Sequence, residues 1–332
     1  MTDSVTETTR GDLDQRLPVI LDVDTGVDDA WALMLAARSP RLDLRAVTCV
    51  SGNVGVDQVV ANTAYVLDVA GAPEVPVGRG ATRPLLTPPH HATEIHGPDG
   101  LGGFSRTSDR RIEKRHAIDL LRQELMGAIG NGETITLIPL GPQTNIALLL
   151  RSHPEVAPGI ERIVFMGGSA SIGNVTAVAE FNVHADPEAA AVVLAAADEL
   201  DIPVTMYGLD VFMDVEVSAT DAARLAGSHD SAAQLAGRLI EFSLGIFGGT
   251  HCTIGDAGAV CAVIEPAGLG TERHPVRVET GAGGSRGQTV VDRRRWVGDA
   301  PVRSDRPGTP IDVALTVDAH RYRELWLSAF SG

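Results

Sequence analysis

Lysine is almost missing from this chain. Lys114 is the only one, and although arginine brings the basic total to 27, Asp and Glu number 43, which leaves a formal net charge of −16. Phosphate backbones are gripped by clustered Lys and Arg, so this balance excludes nucleic acid as a partner. Long apolar runs are missing as well. The longest, Ala189 to Ala197, falls far short of the roughly 20 residues a membrane-crossing helix needs, and the polar N-terminus has no signal-peptide core. The sequence therefore predicts a cytoplasmic protein with no membrane contact. Cysteine is scarce: Cys49, Cys252 and Cys261 show no pairing pattern, which excludes a disulfide framework and suits buried thiols in a reducing compartment. Without a secretory signal, the glycosylation-type triplet Asn174-Val175-Thr176 is coincidence.

What is present is a chain of 332 residues, 44% hydrophobic, with strand-like and helix-like patterns in alternation. That length buries a large core, and the alternation predicts a single α/β domain around a mostly parallel, doubly wound sheet with flanking helices. Residues 1–16 are Thr-, Ser- and Asp-rich with few apolar side chains, too few to offset the entropy of ordering, and are read as a tail. The domain is assigned to residues 17–332.

Its most improbable stretch is Leu21-Asp22-Val23-Asp24-Thr25-Gly26-Val27-Asp28-Asp29. Pro18 to Leu21 reads as a buried strand and Ala30 to Ala37 as a helix, so four acids sit at a strand's carboxyl end and in the next helix's first turn. Open α/β sheets bind ligands at that place. Asp22 and Asp24, two apart on a strand, share a face, and the Thr25-Gly26 turn returns Asp28 and Asp29 toward them. So many carboxylates need a counter-charge. The helix N-terminus supplies a little, and a divalent cation far more. With no His or Cys pair at ligand spacing nearby, oxygen donors point to Ca²⁺ or Mg²⁺, and a site of several acids plus carbonyls suits Ca²⁺ better.

Farther along, Leu44 to Val50 reads as a second strand ending in Ser51-Gly52-Asn53, which brings Asn53 to the same sheet edge. Gln58 to Ala70 is an amphipathic helix, and Val75-Pro76-Val77 a short strand. A long Pro- and Gly-rich loop, Arg79 to Ser108, has the composition of a mobile active-site cover; His90 and His91 read as solvated residues in it. Thr134 to Leu140 is a strand followed by a turn in which Thr144 or Asn145 caps the next helix. Arg162 to Gly168 runs into a Gly-rich turn that lacks both phosphate-loop spacings, which excludes nucleotide-phosphate binding there. In the polar loop that follows, Asn174, Glu180 and Asn182 offer donors and acceptors suited to sugar hydroxyls.

Asp22-Val23-Asp24-Thr25-Gly26-Val27-Asp28-Asp29-Ala30 resembles the signature of the inosine-uridine-preferring nucleoside hydrolase family, calcium enzymes that cleave the N-glycosidic bond of ribonucleosides. His96-Gly97-Pro98-Asp99-Gly100 resembles the family's loop over the active site, and Asn174, Glu180 and Asn182 match its ribose-binding set in type and spacing. The likeness runs over roughly residues 17 to 330. It implies Ca²⁺ held by Asp24, Asp29, Asp256 and the Leu140 carbonyl, with Asp24 also the general base. Asp28, Asn53, Met166, Asn174, Glu180, Phe181 and Asn182 become the substrate-binding set, with Phe242 and Phe247 as candidates beside the base. The implied assembly is a homodimer or homotetramer.

One motif departs from the family. Where the family usually has His-Asp-Pro, with the histidine protonating the leaving base, this chain has Gly255-Asp256-Ala257. Either His251 or His96 takes over, or no side-chain acid acts. Two other readings follow from the same residues: a nucleoside-binding relative without catalysis, marked by Gly255, and a haloacid-dehalogenase-type Mg²⁺ phosphatase using Asp22-Val23-Asp24. The second leaves the sugar-binding set unexplained.

Overall fold

The computed structural model describes residues 16–72, 74–294 and 308–331. All but Arg16 of the expected tail therefore lies outside the described residues. Twelve strands are found among them: β1 (Leu17–Val23), β2 (Leu42–Cys49), β3 (Val77–Arg79), β4 (Glu113–His116), β5 (Ile135–Pro139), β6 (Ile160–Met166), β7 (Val204–Tyr207), β8 (Glu216–Ser218), β9 (His251–Thr253), β10 (Leu269–Val278), β11 (Thr289–Val291) and β12 (Thr309–Val317). Ten make one sheet in the order β11-β10-β12-β7-β6-β5-β1-β2-β3-β4, parallel except where β10 runs against β11 and β12. β8 and β9 form a separate antiparallel pair.

β1 shows why the sheet is covered on both faces. Val19, Leu21 and Val23 point into one apolar layer, with the helices Val27–Arg38 and Val56–Val69, while Ile20 points into the other, with the helices Ala117–Asn131 and Thr144–Ser152. Strands buried on both sides are continuous apolar runs, as Leu17 to Leu21 is. The register between β1 and β5 places Asp22 opposite Pro139.

Several local expectations shift. β3 begins at Val77, not Val75, because Pro76 has no N–H to give a ladder and uses only its carbonyl, which accepts from the Val47 N–H at 2.9 Å. Neither Thr144 nor Asn145 caps its helix, whose cap position is Gln143. Thr144 donates instead to Asp186 Oδ2 at 2.6 Å, and Asn145 is drawn inward to Asp22. The long loop contains a short helix, Thr93–His96. β10 starts at Leu269, although its first residues are polar, because the segment Gly270–His274 pairs along β12.

Candidate active site

β1 and β5 are neighbours, yet the chain leaves β1 for β2, β3 and β4 on one side and leaves β5 for β6 and β7 on the other. The crevice at their carboxyl ends is thus a topological switch point, where open α/β sheets bind ligands. The Leu140 N–H donates to the Asp22 carbonyl at 2.8 Å, fixing the two chain exits side by side.

The acid turn is built around Asp29. Its carboxylate accepts from the backbone N–H of Gly26 at 2.9 Å, from that of Asp24 at 3.2 Å and from Asn53 Nδ2 at 3.2 Å, closing the first turn of the helix Val27–Arg38. Asp24 accepts the Asn53 N–H on Oδ2 at 2.8 Å, and its Oδ1 has no partner. Glycine is needed at Gly26, where an added Cβ would lie 2.6 Å from His96 Nδ1, and at Gly52, where it would lie 2.0 Å from Asp24 Oδ2.

Asp28, Asp29 and Asp256 each bring one oxygen within 4.8 Å of the others. Asp24 stands at their side, its free Oδ1 facing Gly141, where an added Cβ would come within 2.7 Å of it. Among the described residues, no arginine or lysine pairs with Asp24, Asp28, Asp29 or Asp256; the only basic side chain near is His96, whose Nδ1 lies 3.9 Å from Asp28 Oδ1. Burial first, and then the charges of its acid neighbours, push Asp256 well above the ordinary carboxylate range; burial, then Asp29, does the same to Asp24; and burial with Asp28 brings Asp29 to about 7. Buried carboxylates with oxygens left unpartnered, including Asp24 Oδ1 and Asp28 Oδ1, fit a hard divalent cation.

Asp22 is occupied otherwise. Its Oδ1 accepts from Thr48 Oγ1 at 2.6 Å and from Asn145 Nδ2 at 2.8 Å, and burial raises it to about 7 against those bonds. These bonds set Asp22 to orienting the turn by holding β1 to β2 and to the helix Thr144–Ser152.

Across the crevice, Glu180 caps the short helix Phe181–Ala185 with bonds from the N–H groups of Asn182 and Val183, and also accepts from Gly168. Burial foremost, with a contribution from the Asp28 charge, brings it to about 7. Asn182 Nδ2 donates to the Leu140 carbonyl at 2.6 Å and to that of Met166 at 3.2 Å, tying the ends of β5 and β6 together. A carbonyl has two lone pairs, so Leu140 keeps one. Asn174 is exposed and accepts from the Phe181 N–H at 2.9 Å.

The long loop is fastened over this place. The Ala92 N–H donates to the Asn53 carbonyl at 3.0 Å and the Val27 N–H to His96 Nδ1 at 3.1 Å. Phe242 lies against Gly102, whereas Phe247 is 63% exposed. His91 is not simply solvated: its Nδ1 donates to the Gly52 carbonyl at 2.7 Å. His251 is exposed on β9 and bonds with Thr250.

The sequence model described as inosine-uridine preferring nucleoside hydrolase matches residues 19–324. The chain belongs to that family. It is 38% identical over 285 residues to the inosine-uridine preferring nucleoside hydrolase of Leishmania major, covering 83% of this chain and 88% of that protein. It is 36% identical over 291 residues to the pyrimidine-specific ribonucleoside hydrolase RihA of Citrobacter koseri, covering 86% and 91%. Among solved structures, a plant nucleoside hydrolase superposes with a TM-score of 0.86 at 28% identity, covering 96% of this chain and all of that one.

As a nucleoside hydrolase, the chain is an N-glycosyl hydrolase, and the phosphatase reading falls with the match. Its departure at Gly255 has a structural side. Gly255 has φ +55°, and a Cβ there would lie 2.6 Å from both Cβ and Oδ2 of Asp28. Two residues with a hand in the site escaped sequence reasoning. Thr48 sits on β2 in a run that reads as plain strand, and Asn62 stands on the apolar face of its helix, between Val59 and Val66. A polar residue on a buried face was the available signal for Asn62.

Proposed function

We propose that this enzyme is a Ca²⁺-dependent hydrolase that splits the N-glycosidic bond of ribonucleosides into ribose and free base. What carries the reading is the buried, all-oxygen acid cluster with unpartnered oxygens at the switch point, facing Glu180 and Asn182, in a member of this family. Asp24, Asp29, Asp256 and the Leu140 carbonyl are assigned to the cation; Asp28 is kept for a ribose hydroxyl, and its closeness to Asp29 and Asp256 supports a share in the cation as well. When bound, calcium supplies a counter-charge for the cluster and Lewis acidity that eases loss of a proton from water.

Asp24 takes a proton from the attacking water through Oδ1, which has no hydrogen-bond partner within the protein. The water oxygen bonds to C1′ of the ribose while the C1′–N bond breaks, its electron pair leaving with the base. The surrounding carboxylates stabilise the oxocarbenium-like sugar in between. Asn53, Asn174, Glu180 and Asn182 hold the pentose, with Met166 and Phe181 against it. His96, tied to the acid turn, is assigned to donate a hydrogen bond from Nε2–H to the departing base, in preference to exposed His251, and the base then takes its proton from water. The names of the relatives, one inosine-uridine preferring and one pyrimidine-specific, support ribonucleosides as the substrate class. We take the enzyme to work in the cytoplasm as a homodimer or homotetramer, following the family resemblance.

The test is a panel of purine and pyrimidine ribonucleosides assayed for reducing sugar. Release of ribose that a chelator abolishes and Ca²⁺ restores is expected. Tight ribonucleoside binding with no free base in the presence of Ca²⁺ overturns the assignment.

A further inference from the structure

We propose that Asn62 is a positioning residue for this reaction, a buried latch that holds the loop bearing His96 and the turn bearing the acids as one unit. The proposal rests on the function given above. Asn62 lies on the helix Val56–Val69, is fully buried, and has its hydrogen-bond partners outside both the acid side chains and the ribose set. Its Nδ2 donates to the carbonyl of Thr25, inside the acid turn, at 3.1 Å and to the carbonyl of Asp99, in the loop, at 2.8 Å. Its Oδ1 accepts from Gln58 Nε2 at 2.9 Å and from Ser105 Oγ at 2.7 Å.

All four hydrogen-bonding positions of the amide are therefore filled. An aspartate has the same shape but cannot donate, so it would face two carbonyls with two acceptors. The loop is shaped to meet this side chain. Gly100 passes over it with φ +78°, and an added Cβ there would lie 2.8 Å from Asn62 Nδ2 and 3.3 Å from the Thr25 carbonyl. Asp99 stiffens the same segment by accepting from the N–H groups of Leu101, Gly103 and Ser105.

Other bonds tie the loop to the site, among them Ala92 to Asn53, His91 to Gly52 and Val27 to His96, and none of these three joins loop and acid turn through a buried side chain from a third element. Cutting the Asn62 latch leaves the chemistry in place but lets the loop leave it. Substrate must then select the docked fraction, so apparent affinity falls by that fraction while turnover of the bound complex changes less.

The experiment compares wild type, Asn62→Asp, Asn62→Ala and Gly100→Ala, all loaded with Ca²⁺, by steady-state ribonucleoside hydrolysis and by limited trypsin cleavage after Arg106. A KM raised about tenfold or more with kcat within about threefold, and faster cleavage at Arg106 that substrate slows, is expected for Asn62→Asp and Gly100→Ala. Ser105→Ala removes only the hydroxyl's bonds at the rim, to Asn62 Oδ1 at 2.7 Å and from Gln58 Nε2 at 3.2 Å, so it reports the same shift, a few-fold in KM, even if Asn62 variants do not fold. Folded Asn62 variants with a lower melting temperature but wild-type KM and wild-type cleavage overturn the proposal, as does an unchanged Ser105→Ala when no Asn62 variant folds. If the wild type hydrolyses no ribonucleoside, the assigned function fails instead, and the trypsin comparison still decides whether the latch exists.

Discussion

The backbone N–H of Val27 donates to Nδ1 of His96 at 3.1 Å. A backbone N–H can only donate, so Nδ1 carries the lone pair and the neutral ring carries its proton on Nε2. Burial, opposed by the charges of Asp28 and Glu94, lowers the pKa of the ring, which keeps it neutral at pH 7. His96→Ala should therefore slow inosine or uridine hydrolysis by roughly 10- to 100-fold, the worth of one hydrogen bond from Nε2–H to a leaving base that carries charge. A riboside with a leaving group that needs no proton, such as 4-nitrophenyl riboside, should be spared in His96→Ala and still lost in Asp24→Ala. Equal losses on both substrates would remove His96 from the role.

A cation at this cluster must compete with protons. Burial foremost holds both Asp29 and Glu180 near about 7, so in the cation-free protein the protonated forms are favoured. A carboxyl raised in the fold adds stability below its unfolded value of roughly 4, and that stability is lost as pH rises through the folded value. The melting temperature of chelated protein should thus fall between about pH 4 and 7, while the Ca²⁺-loaded protein should not follow it, and Ca²⁺ addition near pH 7 should release protons. Calorimetry in buffers of different ionisation enthalpy measures the release. A pH-independent affinity without proton release would contradict this account.

Restoring the family's histidine should not restore its acid. Gly255 has φ +55°, and any Cβ there meets Asp28 at 2.6 Å. Gly255→Ala should cost about 1–2 kcal/mol from the left-handed backbone, more with the clash, and should weaken Ca²⁺ binding by displacing Asp28. Gly255→His should share both defects. Melting curves and Ca²⁺ titrations check it, and a Gly255→His protein with tighter calcium and faster inosine cleavage would be the contrary result.

Far from the site, Asp221 lies in the first turn of the helix Ala219–Ala226, capped by Ser218, and accepts from Arg323 Nη2 on both oxygens at 2.8 Å, and from the Ser218 hydroxyl at 2.7 Å. Burial pushes its pKa up, but these bonds together outweigh it and hold the carboxyl below its ordinary value. A depressed carboxyl adds stability above its unfolded pKa and loses it as pH falls through the folded one. Asp221→Asn should cost about 1.5–3 kcal/mol in urea unfolding at pH 7, a difference that narrows below about pH 4. A gap that stays constant with acidification would assign the loss to helix capping alone.

Much of this enzyme could be read from residue order. The helix from Val27, the strands β1, β2, β5, β6, β7 and β12, and the helix opened by Asp318 follow apolar periodicity and caps that act within a few residues. The edge pairs were harder. β4 is Glu-Lys-Arg-His, and β8 and β9 are three residues each, too polar or too short for their own pattern to announce. They exist because a neighbouring strand offers unpaired backbone groups.

Of the site, residue order alone determined its chemistry: four acids within eight residues after a buried strand demand a counter-charge wherever they fold. Tertiary structure decided which acids meet. Asp256 reaches Asp28 and Asp29 from more than 220 residues along the chain, and Asn145 leaves the cap expected of it because the Asp22 carboxylate lies nearer to its amide. Only the fold could bring Gly255 against Asp28 or place Asn62 between Thr25 and Asp99. Local propensity acts over about one turn of chain, whereas a buried polar group takes whichever partner packing sets beside it.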